Sequence, residues 1–340
     1  MSQKIKVGVV GATGLVGEVF LKLLEERRFP VQELRLFASD RSAGTKLSFA
    51  GQKIEVNALS PTAFDGLDLV FFSSGDDISK EWAPRAVKSG AIAVDNSNAF
   101  RMDSSVELIV PEVNGERLAH RTPRVIANPN CSTIQLVCAL KPLMQDFGLE
   151  SVHVASYQAI SGAGRPAYEE FTSQLRQVLA GEEISEPQVF PHPIAQNCIP
   201  QIGGFDPSGF CTEELKIMRE SKKILGLPDL RITAFTVRIP SWNAHAEAVW
   251  VRLGQVVDRE QILASLGRGI GLRIEDDPKK SVYPTPLRYS GSDPVGVGRL
   301  HQDPDDPQTW LMWVVADNLR KGAALNGIQI AERVFEIASH

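Results

Sequence analysis

The stretch KIKVGVVGATGLVG, residues 4–17, decides how this chain folds. Its first seven residues form an apolar run the length of one strand. Gly11, Gly14 and Gly17 follow in a GxxGxxG spacing, and an amphipathic pattern continues to about Arg28. Strand, glycine turn and helix stand in the order a dinucleotide-binding unit requires. The glycines let backbone approach a pyrophosphate, and the helix N-terminus offers N–H donors and a partial positive charge. The alternative is a glycine turn serving close packing alone, and it gives no reason for that order.

Outward from this stretch the same rhythm repeats. LRLFAS (34–39), DLVFFSS (68–74), AIAVDNS (91–97) and RVIANPN (124–130) read as strands, with a helix near 77–88. The near-continuous apolar character of DLVFFSS suits a strand covered on both faces. Strands alternating with helices imply βαβ units and a parallel, doubly wound sheet. The end of the second strand bears on the cofactor. In ASDRSAG (38–44), Asp40 could meet a free ribose 2′-hydroxyl, or Ser39 and Arg41 could flank a 2′-phosphate. The phosphate reading is favoured because Arg carries a fork of donors suited to phosphate. A solvated turn is the remaining alternative.

The texture changes at Cys131. STIQLVCALKPLMQDFG reads as a helix ending at Gly148, and SVHVASYQAIS (151–161) alternates with a period of two, as a half-buried strand does. Helices are expected near 166–180 and 213–225, with an aperiodic Pro- and Gly-rich stretch between them. RITAFTVRIPS (231–241) and AEAVWVRLG (246–254) read as long, neighbouring antiparallel strands, and TWLMWVVADN (309–318) as another. LRKGAALNGIQIAERVFEIA reads as one long closing helix able to pack back on the first half. The expected division is therefore residues 1–130 with 318–340, and residues 131–317. The fold class is α/β: a Rossmann-type domain plus an α+β domain with an antiparallel or mixed sheet.

Composition sets the outer limits. Of 340 residues, 43% are apolar and 23% charged, and the formal net charge is −5. These are the proportions of an ordinary globular protein. With no Lys/Arg block, a nucleic-acid partner is not expected. The N-terminal segment does not read as a secretory signal, and no run approaches the roughly 18 apolar residues of a membrane span. Cys131, Cys138, Cys198 and Cys211 show no CxxC spacing, which favours reduced thiols in the cytoplasm. No metal site is expected.

Cys131 sits in NPNCSTIQ (128–135), where Asn-Pro holds the backbone extended and a helix begins. A thiolate at a helix N-terminus is stabilised by the local N–H groups. The bland alternative is a small buried hydrophobe, and Cys138 is read that way, while Cys198 and Cys211, in loop-like segments with no nearby base in sequence, are read as structural. A nucleophilic cysteine in a dinucleotide enzyme suggests aldehyde chemistry through a thioester, which needs a base near the sulfur and cationic groups for substrate anions. TVRIPSWNAHAEAV supplies Arg238 on a strand and His245 beyond a turn. His245, flanked by Ala244 and Ala246, is expected to be accessible and to titrate near neutrality. Gln158 ends a strand before the flexible Ser161-Gly162-Ala163-Gly164. His120, His153, His192, His301 and His340 look bland.

Nine segments in order carry a resemblance: GATGLVG, ASDRSAG, DNSNAFR, VPEVN, NPNCSTIQ, YQAISGAG, EELK, RIP…HAEAV and DNLRKGAA. Together, from about residue 5 to 335, they resemble the aspartate-β-semialdehyde dehydrogenases of bacteria. The resemblance implies a glyceraldehyde-3-phosphate-dehydrogenase-like fold. It also implies NADP-dependent reductive dephosphorylation of 4-phospho-L-aspartate to L-aspartate-4-semialdehyde, toward lysine, threonine, methionine and isoleucine. By resemblance, Cys131 is the acyl-thioester cysteine, His245 the acid/base and Gln158 the substrate-orienting glutamine. Arg238 matches the group for the substrate carboxylate, Arg101 and Lys216 the cations for phosphate, and Glu213 the contact to the substrate amine. Asn130 stands in the same binding set. Gly11, Thr13, Gly14, Leu15, Val16, Ser39, Arg41, Ser161, Gly162 and Asn318 match cofactor positions. A homodimer built through the second domain, or a pair of such dimers, is implied. Ala244 departs from the glycine often found before the histidine in this family. If the position needs φ > 0, alanine there costs roughly 1 kcal/mol. N-acetyl-γ-glutamyl-phosphate reductases surround their cysteine differently, and a silent relative would be expected to lack the cysteine or the histidine.

Overall fold

The computed structural model describes residues 4–118 and 121–338. His120 and His340 lie outside the described residues. The chain forms two compact units, Met1–Asn130 with Ala323–His340, and Cys131–Gly322. The return crossing falls after Gly322, later than the boundary at 317 drawn from sequence. The Asp317 side chain ties this turn into the second unit by accepting from Asn243 and from the Gly291 N–H.

The first unit is built on eight strands: β1 (Ile5–Val10), β2 (Val31–Ala38), β3 (Lys46–Phe49), β4 (Gln52–Ala58), β5 (Leu69–Phe72), β6 (Ile92–Asp95), β7 (Glu107–Leu108) and β8 (Val125–Ala127). Their order is β3-β4-β2-β1-β5-β6-β8-β7. Every pairing is parallel except β3 with β4, an antiparallel hairpin at one edge. The central strands β5 and β6 are buried throughout, as sheets covered on both faces demand. Helix α1 (Leu15–Glu26) stacks Phe20 on Phe71 with ring centroids 4.5 Å apart. The closing helix Leu325–Val334 adds Ile328, Ile330 and Ala331 to the same core, and its Glu332 accepts two 2.7 Å bonds from Arg27.

The glycine turn is required by this geometry. Gly11 has φ +82°, and a Cβ on Gly17 would lie 2.2 Å from the Gly11 carbonyl oxygen. The N–H groups of Gly11 and Ala12 both bond to Phe37 O, which fastens the turn to the end of β2. Ser39, Asp40 and Arg41 follow directly and are exposed.

The second unit opens with α4 (Cys131–Phe147), then β9 (Leu149–Gln158), α5 (Gly164–Ala180) and α6 (Thr212–Leu225); α2 (Asp76–Lys88) and α3 (Pro111–Asn114) belong to the first. There follow β10 (Arg231–Arg238), β11 (His245–Leu253), α7 (Arg259–Gly267), β12 (Leu272–Ile274), α8 (Pro286–Tyr289), β13 (Val295–Gln302) and β14 (Thr309–Ala316). The mixed sheet runs β10-β9-β11-β14-β13-β12. Here the sequence expectation fails, because β10 and β11 are not neighbours. β9 lies between them, parallel to β10 and antiparallel to β11. The connecting residues 239–244 cross the carboxyl end of β9, where Ile160 N–H and Ser161 N–H bond to the carbonyls of Ser241 and Trp242. That crossing brings Gln158, Arg238 and His245 to one end of the sheet. Helices α4, α6 and α7 pack on one face. On the other, Tyr157 and Phe235 are exposed. Among the described residues no helix is long and apolar enough to cross a membrane.

Candidate active site

Cys131 is the first residue of α4 and is partly exposed, while Cys138 and Cys211 are buried. Its position at the head of a 17-residue helix places the sulfur at the positive end of the helix, where a thiolate is stabilised. Cys211 is structural. Its Sγ lies 3.1 Å from Thr236 Oγ1, and its N–H bonds to Glu214 at the start of α6.

Arg238 closes β10 and is 5% exposed. Its Nη1 donates to Ala159 O at 2.6 Å, which fixes the plane of the guanidinium. Burial lowers its pKa, and the opposing influences are Glu213 and Cys131, so both lie within electrostatic reach of the guanidinium. Gln158 ends β9 on the same side and donates to Glu213 Oε1 at 3.2 Å and to Ser156 Oγ at 3.3 Å. Glu213, in the first turn of α6, also pairs with Lys216 Nζ at 3.3 Å. A cysteine, a fixed guanidinium, an amide, a carboxylate and an ammonium therefore belong to one cluster.

His245 begins β11 and is fully buried, contrary to the accessible histidine expected from its small neighbours. The crossing loop sets it under the end of β9. Burial first, and Arg238 second, hold its pKa down to about 3, against the opposing pull of Glu213. Its Nδ1 accepts the Ala159 N–H at 3.0 Å. An Nδ1 that accepts cannot carry the proton of a neutral ring, so that proton resides on Nε2. Nε2 is buried and has no protein partner. A Cβ added to Gly162 would lie 3.0 Å from Arg238 Nη1 and 3.1 Å from His245 Nε2. The bare backbone of Gly162 is thus what leaves room beside both donors.

The alanine before the histidine does adopt the left-handed conformation: Ala244 has φ +68°. Its N–H is held by Asn318 Oδ1 at 3.0 Å. Asn318 Nδ2 donates to Ser161 Oγ at 3.0 Å, and Ser161 donates to Asn243 Oδ1 at 2.9 Å. Ser161 and Asn318, matched above to cofactor positions, are tied here into a buried network.

The remaining candidates lie in the first unit. Arg101 is 6% exposed, with Nε on Asn128 O at 2.9 Å and Nη2 on Asn96 O at 2.8 Å. Asn130 is buried. Thr13, Gly14, Leu15 and Val16 form the partly exposed tip of the glycine turn. Among the described residues no group of His, Cys, Asp or Glu side chains could hold a metal ion.

One buried acid was not singled out from sequence. Glu247 lies two residues beyond His245 and is fully buried, facing Gln135 without full hydrogen-bond geometry. Strand alternation was the signal, since a charge fell on the inward phase of β11. Burial raises its pKa well above the usual carboxylate value, and the contact with Gln135 only partly opposes this. Above pH ~4.5 the unfolded chain has released this proton while the folded one keeps it. Stability therefore falls as pH rises, by about 1.4 kcal/mol per unit, until the folded group ionises. Glu247→Gln is expected to remove that slope. In urea unfolding at several pH values, its stability should exceed wild type by a margin that grows toward alkaline pH.

Two family models match the chain. Residues 6–121 match the semialdehyde dehydrogenase NAD binding domain, and residues 140–321 the semialdehyde dehydrogenase dimerisation domain. The chain is 45% identical to aspartate-semialdehyde dehydrogenase of Bacillus subtilis (strain 168), over 99% of both chains. It superimposes with a TM-score of 0.94 on the crystal structure of Vibrio cholerae aspartate semialdehyde dehydrogenase II complexed with ASA, at 40% identity over 99% of each chain. The Candida albicans aspartate semialdehyde dehydrogenase with NADP gives a TM-score of 0.77 at 26% identity, covering 99% of this chain and all of that one, 100%.

Proposed function

The chain belongs to the aspartate-semialdehyde dehydrogenase family, and from that premise we propose that it interconverts 4-phospho-L-aspartate and L-aspartate-4-semialdehyde plus phosphate, with NADP, through a thioester on Cys131. The biosynthetic direction serves lysine, threonine, methionine and isoleucine. The observation that carries this reading is the clustering of Cys131, Gln158, Glu213, Arg238 and His245 in one unit.

The first unit fits a dinucleotide phosphate. A side chain on Gly17 would collide with the turn, and Ser39 and Arg41 stand exposed at the end of β2 where a 2′-phosphate would be read. When bound, the nicotinamide supplies or accepts hydride at the reacting carbon.

The protein side chains do the rest. The Cys131 thiolate adds to the acyl phosphate carbon and phosphate leaves, giving the thioester. Arg238 presents its fork to the substrate α-carboxylate, and Glu213 to the amine. Arg101 and Lys216 serve the phosphoryl group. As the reacting carbonyl oxygen gains charge, His245 Nε2–H donates a hydrogen bond to it. The resulting oxyanion collapses to aldehyde and thiolate, so His245 need not change protonation. The proton of the net reaction ends on the released phosphate. His245 thus works as a neutral donor, a narrower role than the acid/base expected from sequence. The resting tautomer and the low pKa both support this.

A homodimer through the second unit is part of the proposal. The sheet face opposite the helices carries exposed Tyr157 and Phe235, beside a groove of about 440 Å³ lined by Trp250, Tyr283, Leu311 and Trp313. Sedimentation at micromolar concentration should give twice the chain mass, and a monomer would count against it.

The reaction is tested in the oxidative direction. L-aspartate-4-semialdehyde should reduce NADP⁺ only when phosphate is present. A folded protein that binds NADPH yet shows no such activity would overturn the substrate assignment.

A further inference from the structure

The sequence predicts one continuous helix after β14. The segment instead contains a π-helical turn, Arg320–Ala324, ahead of the closing α-helix. Gly322 N–H bonds to Asp317 O at 3.0 Å, five residues back. π-turns are rare, and a helix that keeps one needs a local reason.

The surroundings of Gly322 supply the reason. A Cβ on Gly322 would lie 2.8 Å from Cys131 Cβ and 3.2 Å from Cys131 Cα, with Asn318 Cβ 3.4 Å away. Real side chains do not approach that closely, and a Cβ at the head of a buried helix cannot swing aside. The same turn holds the histidine through Asn318, which receives the Ala244 N–H. The turn itself is stiffly anchored. Asp317 Oδ1 accepts from the N–H groups of Leu319 and Arg320 at 2.8 and 2.9 Å. Asp317 Oδ2 accepts from Asn243 Nδ2 at 2.7 Å and Gly291 N–H at 2.6 Å. Side-chain bonds run from Asn318 to Ser161 to Asn243 to Asp317, and the backbone between Asp317 and Asn318 closes the ring.

We propose that the Asp317–Ala324 turn is a positioning element that seats both reacting groups, Cys131 against Gly322 and, through Asn318, the left-handed Ala244 that precedes His245. Gly322 and Asn318 are positioning residues in this scheme, acting through Cys131 and His245. The proposal rests on those two being the reacting pair.

The test begins with Gly322→Ala. Its methyl group should displace Cys131, and a misplacement near 1 Å costs on the order of 100-fold in rate. We expect kcat to fall by about that factor, with KM for NADP⁺ within about threefold of wild type. Alkylation of Cys131 by iodoacetamide, followed against pH, should shift its profile. Thermal unfolding closes a cycle with Cys131→Gly, which removes the opposing Cβ. Gly322→Ala should destabilise the wild type and cost clearly less in the Cys131→Gly background, where only the 3.2 Å approach to the Cα and the 3.4 Å approach to Asn318 Cβ remain. If Gly322→Ala fails to fold alone, recovery in that double variant supports the contact and continued misfolding overturns it. Equal destabilisation in both backgrounds, or wild-type kcat and alkylation, also overturns it. Asn318→Ala should lose kcat, and adding Ala244→Gly should restore several-fold of it, because glycine holds φ +68° unaided. No recovery would overturn the histidine half. Alkylation and unfolding need no substrate, so a wrong substrate assignment leaves them readable.

Discussion

Cys131→Ala is expected to lower the phosphate-dependent reduction of NADP⁺ by at least ~10⁴-fold while leaving the fold intact. The Cβ that packs against Gly322 remains, so the truncation removes only the sulfur. Cys131→Ser is expected to be nearly as inactive, and this is the more informative variant. A serine hydroxyl needs a base to become a nucleophile, whereas a thiol at a helix N-terminus ionises readily. The nearby imidazole cannot serve as that base in its resting state. Its Nδ1 is occupied by the Ala159 N–H, and its Nε2 carries the proton. Steady-state rates with NADPH binding as a control decide the matter. A serine variant retaining more than about one per cent of wild-type kcat would mean that His245 abstracts a proton, and would sink the donor role argued for it.

The sequence carried the first unit almost unaided. Its strands are covered on both faces, so they read as apolar runs, and the helix head after Gly11 is marked by glycines that the packing requires. The hairpin β3–β4 was not singled out, since its residues are mostly half-buried or exposed, with Val56 alone buried, and give no strong apolar phase. In the second unit the strands were legible and their neighbours were not. RITAFTVR and HAEAVWVRL alternate correctly, yet nothing in the residues between them says that they cross a third strand. Pairing across such a loop depends on backbone bonds at the end of β9, which no side-chain pattern encodes. The candidate site residues were named mostly through motif resemblance. Their physical state was not, because burial is a property of the assembled sheet. His245 between two alanines looks solvated in sequence and is fully buried in the fold. Gly322 was hidden for a similar reason, since a glycine inside a helical pattern does not announce the side chain it admits.

His245 gives the second large effect, and its pH dependence separates the two roles a histidine can take. His245→Ala is expected to lower kcat by about 10²–10³-fold, the range for losing one donor to a developing oxyanion. His245→Gln, which keeps an amide donor of shorter reach, should lose less. With a pKa held down to about 3, the ring is neutral across the working range of the enzyme. Wild-type kcat should therefore show no ionisation of His245 between about pH 5 and 8, and the variants should keep the wild-type profile at reduced height. A limb near pH 6.5 in wild type that vanishes in His245→Gln would return the residue to the acid/base role. The same burial leaves a signature in stability. Between the unfolded value of 6.5 and the folded value of about 3, the unfolded chain binds a proton that the folded chain refuses. The stability that neutral His245 confers is present above pH 6.5 and is lost as pH falls through this window, at about 1.4 kcal/mol per unit. His245→Gln lacks that term, so the variant should gain on wild type as urea unfolding is moved from pH 7 toward pH 5. Opposite linkage at Glu247 destabilises the alkaline side. The two buried groups thus tilt the stability curve in different directions, and measuring both variants across one pH series distinguishes their contributions.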